Sequence, residues 1–206
     1  MTNSDIKRAL WDESYARREN FIFEPKDEVI RFLSRFVRKR VGLSELVDVL
    51  QPRGQQLKAL DYGCGIGSQT IFMAKSHGIN ATGVDISQLA IKAAREYATF
   101  SLGNGHLCEF YVLGDDQLLK GKDREYDISI CDAVLDSMCF SRARAAMSEL
   151  ARVTDKYIFF SVISGHETGD ATFSGEVSVE HDHERGTIQS YFNEEKISHL
   201  CEDLGF

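Results

Sequence analysis

Three glycines, Gly63, Gly65 and Gly67, follow an apolar run that ends in Asp61. A second apolar run ends in Asp85, and Asp115 follows a third. A carboxylate can accept two hydroxyls at once, or an ammonium. A glycine turn lets a ligand lie against bare backbone. Placed at the carboxyl ends of adjacent parallel strands, such groups build a crevice for a nucleoside-bearing cofactor.

The spacing discriminates between cofactors. A dinucleotide fingerprint wants Gly-x-Gly-x-x-Gly/Ala, whereas here the third glycine comes one residue early and Ser68 stands in its place. S-adenosylmethionine carries no phosphate and explains more of the residues. Asp61 is placed to receive its ammonium, directly or through water. Gly63, Gly65 and Gly67 let backbone approach the methionine and ribose, with Cys64 as a small residue inside the turn. Asp85 is placed to accept both ribose hydroxyls. Asp115, with Asp116 beside it, is placed to accept the adenine amine. A nucleotide-cofactor oxidoreductase of the NAD type, and a cofactor-binding module without turnover, remain the alternatives.

These residues resemble the class I S-adenosylmethionine-dependent methyltransferases, small-molecule type. The matching stretches are 60–67 (Leu-Asp-Tyr-Gly-Cys-Gly-Ile-Gly), 83–87 (Gly-Val-Asp-Ile-Ser), 113–117 (Leu-Gly-Asp-Asp-Gln) and 126–131 (Tyr-Asp-Ile-Ser-Ile-Cys). The resemblance covers 58–163. It implies Asp85, with Ile86 beside it, at the ribose, Asp115 at the adenine, and 131–135, beginning at Cys131, along the methyl side. Trp11-Asp12-Glu13-Ser14-Tyr15 is similar to the N-terminal lid of small-molecule members, which makes Tyr15 a cofactor contact. The fold implied is Rossmann-like and doubly wound, with strand order 3-2-1-4-5 parallel. The family sheet adds two more strands beyond these five; strands six and seven are expected to be absent and the chain truncated.

Transfer from a sulfonium needs alignment of the acceptor more than it needs a fixed catalytic motif, and a base only where the acceptor must first lose a proton. Asp132 and Asp136 are candidates to face the acceptor. His166, in the loop after strand five, is the candidate base beside Asp136. The run Glu180-His-Asp-His-Glu184 reads as a solvated turn, and no metal site is expected.

The elements that must position these groups are read from period and punctuation. Helices are expected at 4–18, 25–41 and 44–50. Strands at 57–61, 80–84, 108–113, 126–131 and 156–163 alternate with helices at 68–77, 87–99 and 142–153, which argues for parallel βαβ units. Two antiparallel strands, 175–180 and 187–192, and a last helix capped by Asn193 follow. We expect one methyltransferase domain, with 1–54 as helical cap, 55–164 as cofactor core and 165–206 as acceptor-side hairpin and last helix.

Composition excludes other classes. The 206 residues carry a net charge of −8, and 161–206 holds ten acidic against two basic residues, which accounts for all of it. That quarter suits no nucleic-acid backbone. The basic cluster Arg31, Arg35, Arg38, Lys39 and Arg40 alternates with apolar residues at helical period and reads as a solvated face. No stretch approaches a membrane span. Five scattered cysteines suit a reducing cytoplasm. A homodimer is a candidate assembly.

Overall fold

The computed structural model describes residues 3–104, 107–114, 118–181 and 184–205, with backbone alone at 3–5. In chain order, α1 (Asn3–Ala16) leads through an extended segment to α2 (Asp27–Phe32), which continues as a wider, π-type turn over Leu33–Val37. A short antiparallel pair, β1 (Arg38–Arg40) and β2 (Leu46–Asp48), follows. Then come β3 (Lys58–Tyr62), α3 (Ser68–His77), β4 (Asn80–Asp85), α4 (Gln88–Leu102), β5 (Cys108–Val112), β6 (Tyr126–Asp132), α5 (Phe140–Val153) and β7 (Thr154–Ser161). The C-terminal part holds β8 (Glu176–Ser178), β9 (Ile188–Ser190) and α6 (Glu194–Cys201).

The five longer strands form one parallel sheet in the order β5-β4-β3-β6-β7, the order expected. Its central strands β3, β4 and β6 are buried on both sides because both faces are covered. Successive residues alternate between the faces. Leu60, Tyr62 and Val84 pack against α5 and α6 through Ala143, Met147, Leu150 and Leu200. Ala59, Ala81, Ile128 and Ile130 pack against α2 and α3 through Val29, Leu33 and Met73. Phe110 of β5 joins α3 and α4 through Ile71, Ile91 and Ala94.

Two expectations are corrected in the N-terminal part. The second helix ends at Val37 rather than 41, and 44–50 is not helical; Leu46–Asp48 is a strand. The cause is non-local. Arg38 pairs with Asp48 across the ribbon, and the ribbon's arginines serve α3. Arg38 Nη1 donates to the carbonyl of His77 at 2.7 Å, and Arg40 Nη2 to that of Ser76 at 2.7 Å. Those carbonyls lie in the last turn of α3, where no intrahelical donor exists and a cation is favoured. Part of the basic cluster is therefore a helix C-terminal cap, not a solvated face.

A third correction concerns the C-terminal strands. Two further strands do follow β7, so a sixth and a seventh are present: β8 and β9 pair antiparallel with each other, from Glu176 opposite Ser190 to Ser178 opposite Ile188. They form a ribbon of their own beside the five-stranded sheet. This strap is tied back at Ser164, which bridges Phe192, and at Lys196 of α6. The Lys196 ammonium donates to Ser174 O at 2.8 Å, Ser190 Oγ at 2.8 Å and Tyr191 O at 2.9 Å. It also lies 4.6 Å from the centre of the Phe192 ring. Asn193 caps α6 as expected, its Oδ1 accepting from the Lys196 amide at 2.9 Å.

Candidate functional site

A cavity of about 470 Å³ opens over the carboxyl ends of β3, β4 and β6, a size typical of small-molecule sites. Its floor is the turn after β3. Gly63, Cys64 and Gly65 line it, and Gly63 and Gly65 have φ of +75° and +54°. A Cβ on Gly63 would stand 2.3 Å from Val134 Cγ2, and one on Gly65 would stand 2.7 Å from the Tyr15 hydroxyl. Only bare backbone fits there. Gly67 sits one step back from the cavity wall, at the start of α3, where a Cβ would meet Phe110 at 2.8 Å.

Asp85 lies at the end of β4 with 8% of its surface exposed, and it lines the cavity. Its Oδ1 accepts from the Ser87 amide at 2.9 Å and its Oδ2 from the Gly65 amide at 3.0 Å. Burial pushes its pKa up, and the two amides pull it back. Two amides leave lone pairs on both oxygens for further donors. Ser87, whose hydroxyl caps α4 by accepting from Ala90 N at 3.0 Å, gives its own proton to Asp12 of α1 at 2.5 Å. Arg8 of α1 donates to the carbonyls of Ile86 and Leu113 at 3.1 and 3.3 Å. The first helix is thus fastened across the ends of β4 and β5, and Lys7, Trp11 and Tyr15 form the lid of the cavity. Ile86 and Leu113 complete this side.

The opposite side rises from β6 and the turn behind it. Asp132 is held by Lys26 Nζ at 3.1 Å, by Gln69 Nε2 at 2.8 Å and by the Ser161 hydroxyl. Ala133 adopts φ +55°, a left-handed bend that costs a non-glycine residue about 1–2 kcal/mol. Its amide is held by Ser161 Oγ at 2.9 Å. Asp136 follows, 3% exposed, its Oδ2 accepting from the Ile163 amide at 2.9 Å. Burial pushes its pKa up to about 6. The strap supplies Val179, His181, Ile188 and Gln189 as the outer wall.

Sequence reasoning located Tyr15, Gly63, Cys64, Gly65, Asp85, Ile86, Asp132 and Asp136, and the structure brings them to one cavity. Four other candidates fall outside its wall. Asp61 is buried beneath the turn, its Oδ2 accepting from the Thr70 hydroxyl at 2.6 Å. Cys131 is fully buried in the core behind Leu135. Gly67 starts α3, and His166 is exposed on the turn Gly165–Thr168. Asp115 and Asp116 lie outside the described residues. Lys7, Lys26, Gln69 and the strap residues carried no motif. The one available signal was the alternation along Val177–Val179, which marks a one-sided strand.

Burial raises the Asp61 pKa from 3.8 to about 7. A raised acid pKa means the folded state holds the proton more tightly, so this group's contribution favours folding at low pH and is lost as pH rises from about 4 through 7. Asp61→Asn removes that dependence. Relative to the parent, the variant gains about 2–3 kcal/mol of unfolding free energy between pH 5 and pH 8. Urea titrations at both pH values check this; a constant difference between the two proteins contradicts it.

Comparison with known proteins agrees with the geometry. Residues 59–156 match the family model of the methyltransferase domain. An uncharacterised protein of Haemophilus influenzae is 30% identical over 135 residues, covering 62% of this chain and 53% of that protein. The chain thus spans about half the length of the curated relative it matches. Magnesium protoporphyrin IX methyltransferase of Synechocystis PCC 6803, solved with bound S-adenosylhomocysteine, is similar with a TM-score of 0.69 at 22% identity, covering 99% of this chain and 90% of that one. The same enzyme solved with bound S-adenosylmethionine gives 0.69 at 21%, covering 100% and 87%. These are likenesses of fold. Through residues 59–156 the chain carries a match to the methyltransferase domain, and the enzyme solved with S-adenosylhomocysteine and with S-adenosylmethionine shares its fold.

Proposed function

We propose that the chain transfers a methyl group from S-adenosylmethionine to a small-molecule acceptor. The observation that carries the reading is the cavity itself: it runs without a break from Asp85 and the glycine turn to Asp136 beneath the strap. The residues present fit the cofactor. The turn excludes any Cβ at 63 and 65, which suits a ligand laid on backbone. The Asp85 carboxylate, fixed by two amides, suits a ribose diol. Tyr15 and Trp11 cover it from the lid.

Bound there, S-adenosylmethionine supplies an electrophilic methyl on a sulfonium that is already a good leaving group. The protein's part is to exclude water and align the acceptor. Lid and strap close the two sides, and Asp136 stands at the acceptor end as the group that takes a proton when the acceptor must lose one. On this reading 1–54 is the cap, 55–164 the cofactor core and 165–206 the acceptor wall, in a cytoplasmic protein that needs no nucleic acid or membrane.

Calorimetric titration with S-adenosylhomocysteine tests the reading, with NAD as the control. Micromolar binding of the first and none of the second is expected. Binding of NAD alone, or of neither, ends it.

A further inference from the structure

The acceptor end of the cavity has a chemical polarity of its own. Asp136 Oδ1 is buried and has no hydrogen-bond partner, while Oδ2 of the same carboxylate is held by the Ile163 amide at 2.9 Å. The carboxylate is therefore fixed through one oxygen, its other oxygen is left unanswered, and the residue lines the cavity. Gln69 repeats the pattern. Its Nε2 donates to Asp132 at 2.8 Å, which sets the orientation of the amide, and its Oε1 is buried without a partner. Buried polar atoms are rarely left unpaired. Both orphans are acceptors.

The charge of the wall points the same way. Five carboxylates, of Glu24, Asp85, Asp132, Asp136 and Glu184, line the cavity against the two amines of Lys7 and Lys26. Lys26 is engaged with Asp132 at 3.1 Å. A carboxylate or phosphate acceptor would bring oxygen against oxygen here. The sides of this end, Val134, Met138, Ile163, Val179 and Ile188, are apolar and suit a carbon skeleton.

Resting on the methyl-transfer reading above, we infer that the acceptor enters as a protonated amine on an apolar skeleton, with its N–H donated to Asp136 Oδ1. The ammonium gives one proton to that oxygen, and the carboxylate becomes an acid. The freed nitrogen lone pair forms the bond to the methyl carbon of S-adenosylmethionine while the carbon–sulfur bond breaks and its pair stays on sulfur. The products are an N-methylammonium and S-adenosylhomocysteine, and the proton on Asp136 passes to water. The groups around Asp136 allow this cycle. Burial raises its pKa to about 6, Lys26 lowers it and Asp132 raises it; the Cys131 thiol behind it is pushed up by burial and stays neutral.

The test uses the full chain saturated with S-adenosylhomocysteine. Benzylamine, 2-phenylethylamine and cyclohexylmethylamine are titrated by calorimetry at pH 7.5 beside the alcohols and carboxylates of the same skeletons. Amines are expected to bind and the carboxylates not to. Asp136→Asn, which keeps an oxygen for the Ile163 amide, is expected to weaken amine binding at least 30-fold and leave S-adenosylhomocysteine binding within twofold. The inference is overturned if S-adenosylhomocysteine binds but the alcohols or carboxylates are preferred, if no amine binds, or if the variant holds amines as tightly as the parent. Failure of S-adenosylhomocysteine itself to bind strikes the methyl-transfer reading instead.

Discussion

Replacing Asp85 with alanine weakens S-adenosylhomocysteine binding at least 100-fold and removes about 2–4 kcal/mol of folding stability. Two separate losses produce these effects. In the unliganded protein the Gly65 and Ser87 amides, at 3.0 and 2.9 Å, lose their acceptor. An unsatisfied buried donor costs about 1–3 kcal/mol, and removing a buried carboxylate returns part of that, because burial disfavours its charge. In the complex proposed above, two ribose hydroxyls would lose a charged acceptor. Hydrogen bonds to charged groups contribute about 1.5–3 kcal/mol each, and 100-fold corresponds to about 2.7 kcal/mol. Asp85→Asn keeps the shape and one acceptor, so it falls between the two. Calorimetry and urea unfolding measure the two losses independently. Unchanged S-adenosylhomocysteine affinity in Asp85→Ala removes Asp85 from the ribose.

The second large effect is steric. Gly63→Ala places a Cβ 2.3 Å from Val134 Cγ2 and 2.9 Å from Cγ1, on backbone with φ +75°. The left-handed conformation costs an alanine about 1–2 kcal/mol, and overpacking adds about 1–3. A loss of about 3 kcal/mol in unfolding free energy is expected without any ligand present. Val134→Ala in the same chain removes both methyls that collide, so the overpacking part is recovered and the backbone part is not. The double-mutant cycle then shows a favourable coupling of at least about 1 kcal/mol. Strict additivity of the two substitutions would mean that the turn relaxes away from Val134.

Much of this was legible in the chain because the signals were local. The helix 68–77 begins at a glycine turn and ends at Gly78, and the structure gives it those limits. The parallel βαβ units follow from regular alternation of apolar runs and helices, and the family resemblance implied their order. What failed was non-local. Leu46–Asp48 has the residues of a short helix, and only its pairing with Arg38–Arg40 makes it a strand. Asp61 and Asp85 look equivalent, each closing an apolar strand. One turns toward Thr70 under α3 and the other toward the Gly65 amide, and no residue type announces that choice. Lys7, Gln69, Val179 and Gln189 converge from four separate segments, so no motif joins them.

Lys196 has a consequence for motion. One ammonium holds oxygens of 174, 190 and 191, so the strap and α6 share this fastening. Opening either exposes the same three acceptors, and the segment opens and closes as one cooperative unit. In hydrogen exchange, the amides of β8, β9 and α6 should therefore report a common opening free energy. A molecule resting against Val179 and Ile188 binds only the closed form. Its concentration raises that free energy by mass action, so slowed exchange in α6, on the far side of the strap, becomes a direct gauge of occupancy at the acceptor wall.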